Sequence, residues 1–211
     1  QLAQALPAIP GLRHFDVSFP LNDAFDPLAW LGAQQCYPQF YWQQRNGDEE
    51  LAALGAVTRF SSLTEASQFL RAQHAAGDTR ICGLNAFNPE QGSLFLPRLL
   101  WRRSAGHATL RLQLWSDSSL QDDALAARDF LQQLRPAKPV RPLSVQVEHE
   151  THQPQQPEWL RLVRKATDTI ARGVFEKVVL ARATDLQFTQ RVNPVALMAA
   201  SRALNLNCFH F

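Results

Sequence analysis

Several things are scarce in this sequence, and each scarcity removes a class of protein. Its 211 residues contain no run approaching the roughly 18 apolar residues of a membrane-spanning helix. Cysteine is nearly absent: Cys36, Cys82 and Cys208 stand far apart with no C-x-x-C pair. That excludes a disulfide framework or a zinc ribbon and reads as reduced thiols in a cytoplasmic protein. Charge of one sign is lacking too. The 21 lysines and arginines are scattered among 19 acidic residues, giving a net charge of +2. Such a surface has no field to draw a polyanion, and with no aromatic-and-basic interleaving it excludes nucleic acid as partner. Gln1 to Pro10 has no charged segment followed by a long apolar one, so it is not a signal peptide. The first residue is glutamine rather than methionine, which suggests a processed start.

What is present is an ordinary globular composition, 45% hydrophobic and 19% charged. His14 to Phe19 alternates like a strand. Asp26 before Pro27 reads as an N-cap opening a short helix. Gln39 to Arg45 and Leu51 to Phe60 read as two strands around Asn46-Gly47, a hairpin signal, and Gly55 in the second marks a bulge or a close backbone approach. Ser62-Leu63-Thr64-Glu65 fits a capping box before a helix. Arg80 to Phe87, Leu94 to Arg102 and Thr109 to Trp115 read as further strands, and Ser119 caps a helix reaching Leu134.

Three prolines between Arg135 and Pro142 then forbid helix and central strand, and a polar stretch runs from Glu148 to Gln156. These residues predict a connector with a short strand at Leu143 to Val147. The chain thus divides into an α+β unit at 1–135, a connector at 136–156 and a second unit at 157–211. In the latter, Pro157 opens an amphipathic helix that Gly173 stops. Phe175 to Phe188 reads as one long strand, Asn193-Pro194 opens another helix through Leu204, and Cys208 to Phe211 begins an apolar strand. An apolar strand left unpaired invites aggregation, so the natural protein is expected to continue past Phe211.

Lys177 is the candidate catalytic residue. On a strand, it would share a face with Phe175, Val179, Ala181 and Ala183. A lysine held among apolar side chains has its charged form disfavoured, which is how an amine becomes a base near neutrality. A lysine near the start of a strand also reaches water or pairs with Glu176, and periodicity does not decide between the two. Among the histidines, only His149-x-x-His152 has ligand-like spacing, and its polar surroundings favour solvation over metal binding.

Lys177-Val178-Val179-Leu180-Ala181-Arg182 resembles the K-V-V-L-A-R segment of the chorismate-utilising enzymes, whose members include isochorismate, salicylate and anthranilate synthases. Ile170 to Gly173, Asn193-Pro194 and Leu206 to Phe211 fit the same family. Tyr37 to Asp48, Gly83 to Phe87 and Leu96-Pro97-Arg98 look like its menaquinone-branch isochorismate synthases. The resemblance covers essentially the whole chain. No Leu-Leu-Glu-Ser run of the kind that binds feedback tryptophan in anthranilate synthases occurs near the front.

The resemblance implies an α+β fold of anthranilate synthase component I type, with antiparallel sheets packed together and helices outside. Helix–strand–helix order after Pro157 also permits an α/β reading, so the antiparallel expectation rests on resemblance. The implied activity is magnesium-dependent conversion of chorismate to isochorismate by a cytoplasmic monomer, with Lys177 as the base. The family's general acid, its magnesium-holding glutamates and its carboxylate-gripping groups match no position here, so neither metal nor acid is assigned to any residue. Another chorismate user, or a non-catalytic binding module on the same scaffold, are the alternatives.

Overall fold

The computed structural model describes residues 6–21, 25–75, 78–204 and 206–211. These form two compact units, one of residues 1–141 with 195–211 and one of residues 142–194. Every paired strand among the described residues is antiparallel.

The larger unit is organised by one long strand. Strands β1 (Gly11–Pro20), β2 (Gln39–Gln43), β3 (Glu49–Phe60), β4 (Cys82–Asn85), β5 (Gly92–Ser104) and β6 (His107–Ser116) make one sheet. β5 pairs with β3 along one edge, while its other edge is shared by β4 at residues 92–95 and β6 at residues 99–104. β1 and β2 close the two sides. The expected hairpin after Arg45 is present, with Gly47 at φ +77° in a loop between Gln44 and Glu49.

Proline inside a central strand would ordinarily forfeit a ladder bond. Pro97 sits where the β3 register slips between Ala56 and Thr58, so its missing N–H falls at the irregularity. Gly55 lies beside that slip at φ +68°, and a Cβ there would come within 2.8 Å of the Phe130 ring. Both expectations for this glycine, bulge and close approach, are met.

Alternation then sorts the side chains. Ala52, Leu54, Leu99, Trp101 and Ala108 face one side, together with Leu28, Trp30 and Leu31 of helix α1 (Pro27–Ala33). Leu51, Ala53 and Leu100 face the other, where Phe95 joins them from beyond the slip. Helix α2 (Leu63–Ala72) buries Ala66 against Phe60 and Leu94. Its Ser62 oxygen accepts from Glu65 N at 3.1 Å, but Glu65 answers to Ser61 rather than Ser62. Helix α3 (Leu120–Gln132) is capped by Ser119 and pinned by Arg98, whose guanidinium grips Asp123 with two 2.6 Å bonds.

Helix α5 (Pro194–Ala203) belongs to this unit, with Val195, Met198 and Ala199 against the α1 side of the sheet. Its last turn carries Arg202, which donates to Asp26 at 3.1 Å and to Glu50 at 3.2 Å. Glu50, 3% exposed, also accepts from Tyr41 Oη at 2.5 Å and from Arg103 at 2.8 Å. A carboxylate on an apolar sheet face is tolerated because three donors satisfy it. Beyond α5, Cys208–Phe211 forms not a strand but a single bridge, His210 to Gln43, with Phe209 stacked on Trp42.

The smaller unit has β7 (Val147–Gln153) paired with β8 (Ala183–Phe188), and helix α4 (Gln156–Ala171) between them in sequence. Two strand expectations are corrected here. The compact units bound the chain at other places than 1–135, 136–156 and 157–211: the polar connector supplies β7, and α5 groups with the larger unit from Val195 on. The short strand is not at Leu143 to Val147 but begins at Val147, since Thr189 and Gln190 bond loop carbonyls upstream of it. The long strand from Phe175 shrinks to Ala183–Phe188. Its partner runs out: β7 ends opposite Ala183 at Gln153, Pro154 follows without an N–H, and the chain turns into α4.

Two predictions follow from this packing. Gly55→Ala should lower the unfolding free energy by about 1–3 kcal/mol, because both φ and the Phe130 ring oppose a Cβ. A urea midpoint equal to the parent's would show that the site relaxes freely. Arg202→Ala should cost about 2–3 kcal/mol by the same measurement, less than the roughly 3–5 kcal/mol of a fully broken buried pair, since Tyr41 and Arg103 still hold Glu50. A loss under about 0.5 kcal/mol, the level of a surface pair, would mean the network is decorative.

Candidate functional site

Lys177 lies in the smaller unit, on the stretch 174–182 between α4 and β8. What shapes that stretch is the end of α4. Gly173, at φ +72°, donates to Ile170 O, and Val174 donates to Thr169 O, so the helix stops where the sequence predicts. From there to Ala183 the backbone has no ladder partner among the described residues. Lys177 is exposed and makes no hydrogen bond or ion pair among them. The strand face expected to bury it is not formed: Val179 is 80% exposed and Phe175 is 37% exposed. The apolar enclosure expected around the Lys177 amine is therefore not formed by the described residues. Arg182, in the same segment, is exposed as well.

The histidine pair is on β7. His152 Nδ1 lies 3.0 Å from Thr184 Oγ1 and its Nε2 lies 3.2 Å from Glu150, which accounts for both ring nitrogens without a metal. Among the described residues no three histidine, cysteine or carboxylate side chains converge as a metal site needs. The described residues do not fit a magnesium site. No helix of the described residues is long and apolar enough to cross a membrane.

The larger unit holds a cavity of about 350 Å³ that the sequence reading did not anticipate. Register builds it: Phe19, Ala108, Arg103, Glu50 and Gln43 are successive cross-strand neighbours over β1, β6, β5, β3 and β2. Phe25, Asp26 and Pro27 at the start of α1 and Arg202 of α5 add to the lining, with Leu21 and Trp101. Burial, and then the Glu50 carboxylate, push the Tyr41 hydroxyl well above its usual range, so it stays protonated and donates. Asp26 and Glu50 are matched by Arg103 and Arg202, so the lining selects no ion of either sign. Nothing there activates a nucleophile. Glu50 and Arg202 were missed as partners because they lie 152 residues apart. The available signal was local: an arginine in an alanine-rich helix, and a carboxylate sharing a strand face with Ala52 and Leu54.

Comparison with known proteins places this geometry. A profile described as chorismate binding enzyme matches residues 13–211. Isochorismate synthase MenF of Escherichia coli (strain K12) is 58% identical over 210 residues, which is 100% of this chain and 49% of the relative. The MenF proteins of Pasteurella multocida (strain Pm70) and Haemophilus influenzae (strain ATCC 51907 / DSM 11121 / KW20 / Rd) are each 31% identical, over 89% and 90% of this chain and 42% of their own length. The solved structure of the menaquinone-specific isochorismate synthase MenF from Escherichia coli superposes with a TM-score of 0.89, covering 99% of this chain and 49% of that one. The chain thus spans about half the length of the curated relatives it matches. With a family match over nearly its whole length, the α+β antiparallel fold and the K-V-V-L-A-R segment point the same way: this chain belongs to the chorismate-binding enzyme family.

Proposed function

We propose that the full-length protein is an isochorismate synthase serving menaquinone biosynthesis, working in the cytoplasm as a monomer. The observation that carries this reading is the 58% identity to Escherichia coli isochorismate synthase MenF over all of this chain. The reaction exchanges one hydroxyl for another on the chorismate ring. Water adds at C2, the double bonds shift, and the C4 hydroxyl departs. The attacking water benefits from a base and the departing hydroxyl requires a proton.

Lys177 is the base on this reading, removing a proton from the attacking water as it adds. The support is its place in the K-V-V-L-A-R segment. Magnesium, when bound, would neutralise carboxylate charge on the substrate. No described residue here is assigned to it. Its ligands, the general acid and the carboxylate-binding groups are assigned to the part of the relatives' length that this chain does not span.

In the full-length protein, Lys177→Ala should lower kcat by about 100- to 10,000-fold, the usual contribution of a general base. Its circular dichroism should match the parent's, so that the loss is one of chemistry rather than of fold. Parent-like kcat would remove Lys177 from the mechanism. The 211-residue chain by itself, given chorismate and magnesium, should form no isochorismate. Product detected by chromatography from that chain would overturn the assignment of the acid and the metal ligands elsewhere.

A further inference from the structure

The ribbon that leaves α3 carries a pattern the proposed activity does not use. Arg135-Pro136-Ala137, Lys138-Pro139-Val140 and Arg141-Pro142-Leu143 are successive triplets of one form: basic, proline, apolar. Proline fixes its own φ, and its ring drives the residue before it to extended backbone. The first two residues of every triplet are therefore held extended by local sterics. Residues 134–146 contain neither helix nor strand, and none of the three proline bonds is cis. Residues 136–142 make no backbone hydrogen bond among the described residues, as a polyproline II ribbon makes none.

Such a ribbon has three residues per turn, rising about 3.1 Å per residue, so each triplet position occupies its own edge. One edge is Arg135, Lys138 and Arg141, with charges about 9 Å apart by that rise. The second is Pro136, Pro139 and Pro142. All six of these residues are exposed, as is Ala137 on the third edge, where Val140 and Leu143 are half-buried. The start of the ribbon is fixed. Buried Gln34 accepts from Arg135 N at 2.9 Å and donates to Arg135 O at 2.8 Å. The cationic and proline edges thus face outward on a pre-extended ribbon that has little entropy left to lose on binding.

We propose that Arg135–Leu143 is a recognition segment, read by a partner protein through a groove of aromatic side chains with an acidic rim. Pro136 and Pro139, one turn apart, occupy the aromatic slots, and Arg141 meets the acidic side chain. A stiff spacer would need the prolines but not a cation in every triplet. An anionic lipid surface would need the cations but not prolines in step with them. This inference stands apart from the Lys177 reading.

The test titrates an isotopically labelled SH3 domain that selects P-x-x-P-x-R ligands, first with this chain and then with the full-length protein. Saturable shifts confined to its aromatic groove are expected, with a Kd on the order of 10–100 µM. Pro136→Ala with Pro139→Ala should abolish them. Arg141→Glu, which keeps every proline, should weaken them at least about tenfold, the equivalent of one lost charged contact. Far-ultraviolet circular dichroism should be unchanged in both variants. No shift at about 1 mM chain, shifts that survive the proline replacements, or binding by this chain but not by the full-length protein would each overturn the proposal.

Discussion

The backbone of β5 finds a hydrogen-bonding partner along both of its edges, and the order of the larger unit descends from that. β3 fills one edge over nearly its whole length, and β4 and β6 divide the other. A strand so enclosed presents two faces at fixed spacing, which lets α1, α3 and α5 share one apolar surface. The smaller unit obeys the same rule with less to offer. β7 satisfies one edge of β8 and, among the described residues, no strand pairs with the rest of that segment, so pairing stops at Ala183. α4 shows the consequence: a helix of sixteen residues buries none of them. A helix whose apolar face has no cover contributes little to stability beyond its own hydrogen bonds.

Charge within the larger unit follows from this enclosure. Once β3 is central, Glu50 is almost wholly buried, and it is kept by donors from three separate elements. Arg98 with Asp123 repeats the device between sheet and α3. Each pair converts a costly buried charge into a point where two elements must meet in one register. α5 is thereby fixed twice, by its apolar residues and by Arg202, although it rejoins the larger unit only after the whole smaller unit has intervened in the chain.

Elements whose signals are local were legible in the sequence. The Asp26 and Ser119 caps, the Gly47 turn, the Gly55 irregularity and the Gly173 stop each follow from one residue's backbone preference, and all are in place. The misreadings concern strands. Leu143 to Val147 and Phe175 to Ala181 have strand-like composition, but composition cannot report whether a second backbone lies alongside. The polar residues His149 to Gln153 pair because β8 comes back to them, which no window of sequence contains. The Glu50–Arg202 contact was invisible for the same reason. In the candidate site, the family match rather than the strand pattern singled out Lys177, and the structure leaves that lysine exposed.

Exposure and the missing strand at Lys177 are one fact rather than two. A ladder neighbour brings its own side chains to both faces of the strand it joins, so pairing and desolvation arrive together. Residues 174–182 alternate as a buried strand would, and Val174, Phe175, Val178 and Val179 are all exposed. A polypeptide that hydrogen-bonds this backbone would cover those side chains in the same step and would enclose the lysine amine among them. Under the proposed function, the base would not be a preformed feature of this chain waiting for substrate. Its environment would be created by the pairing that completes the strand, and the acid that must complement it would come on the same polypeptide. Folding of this segment and assembly of its chemistry would then be a single event.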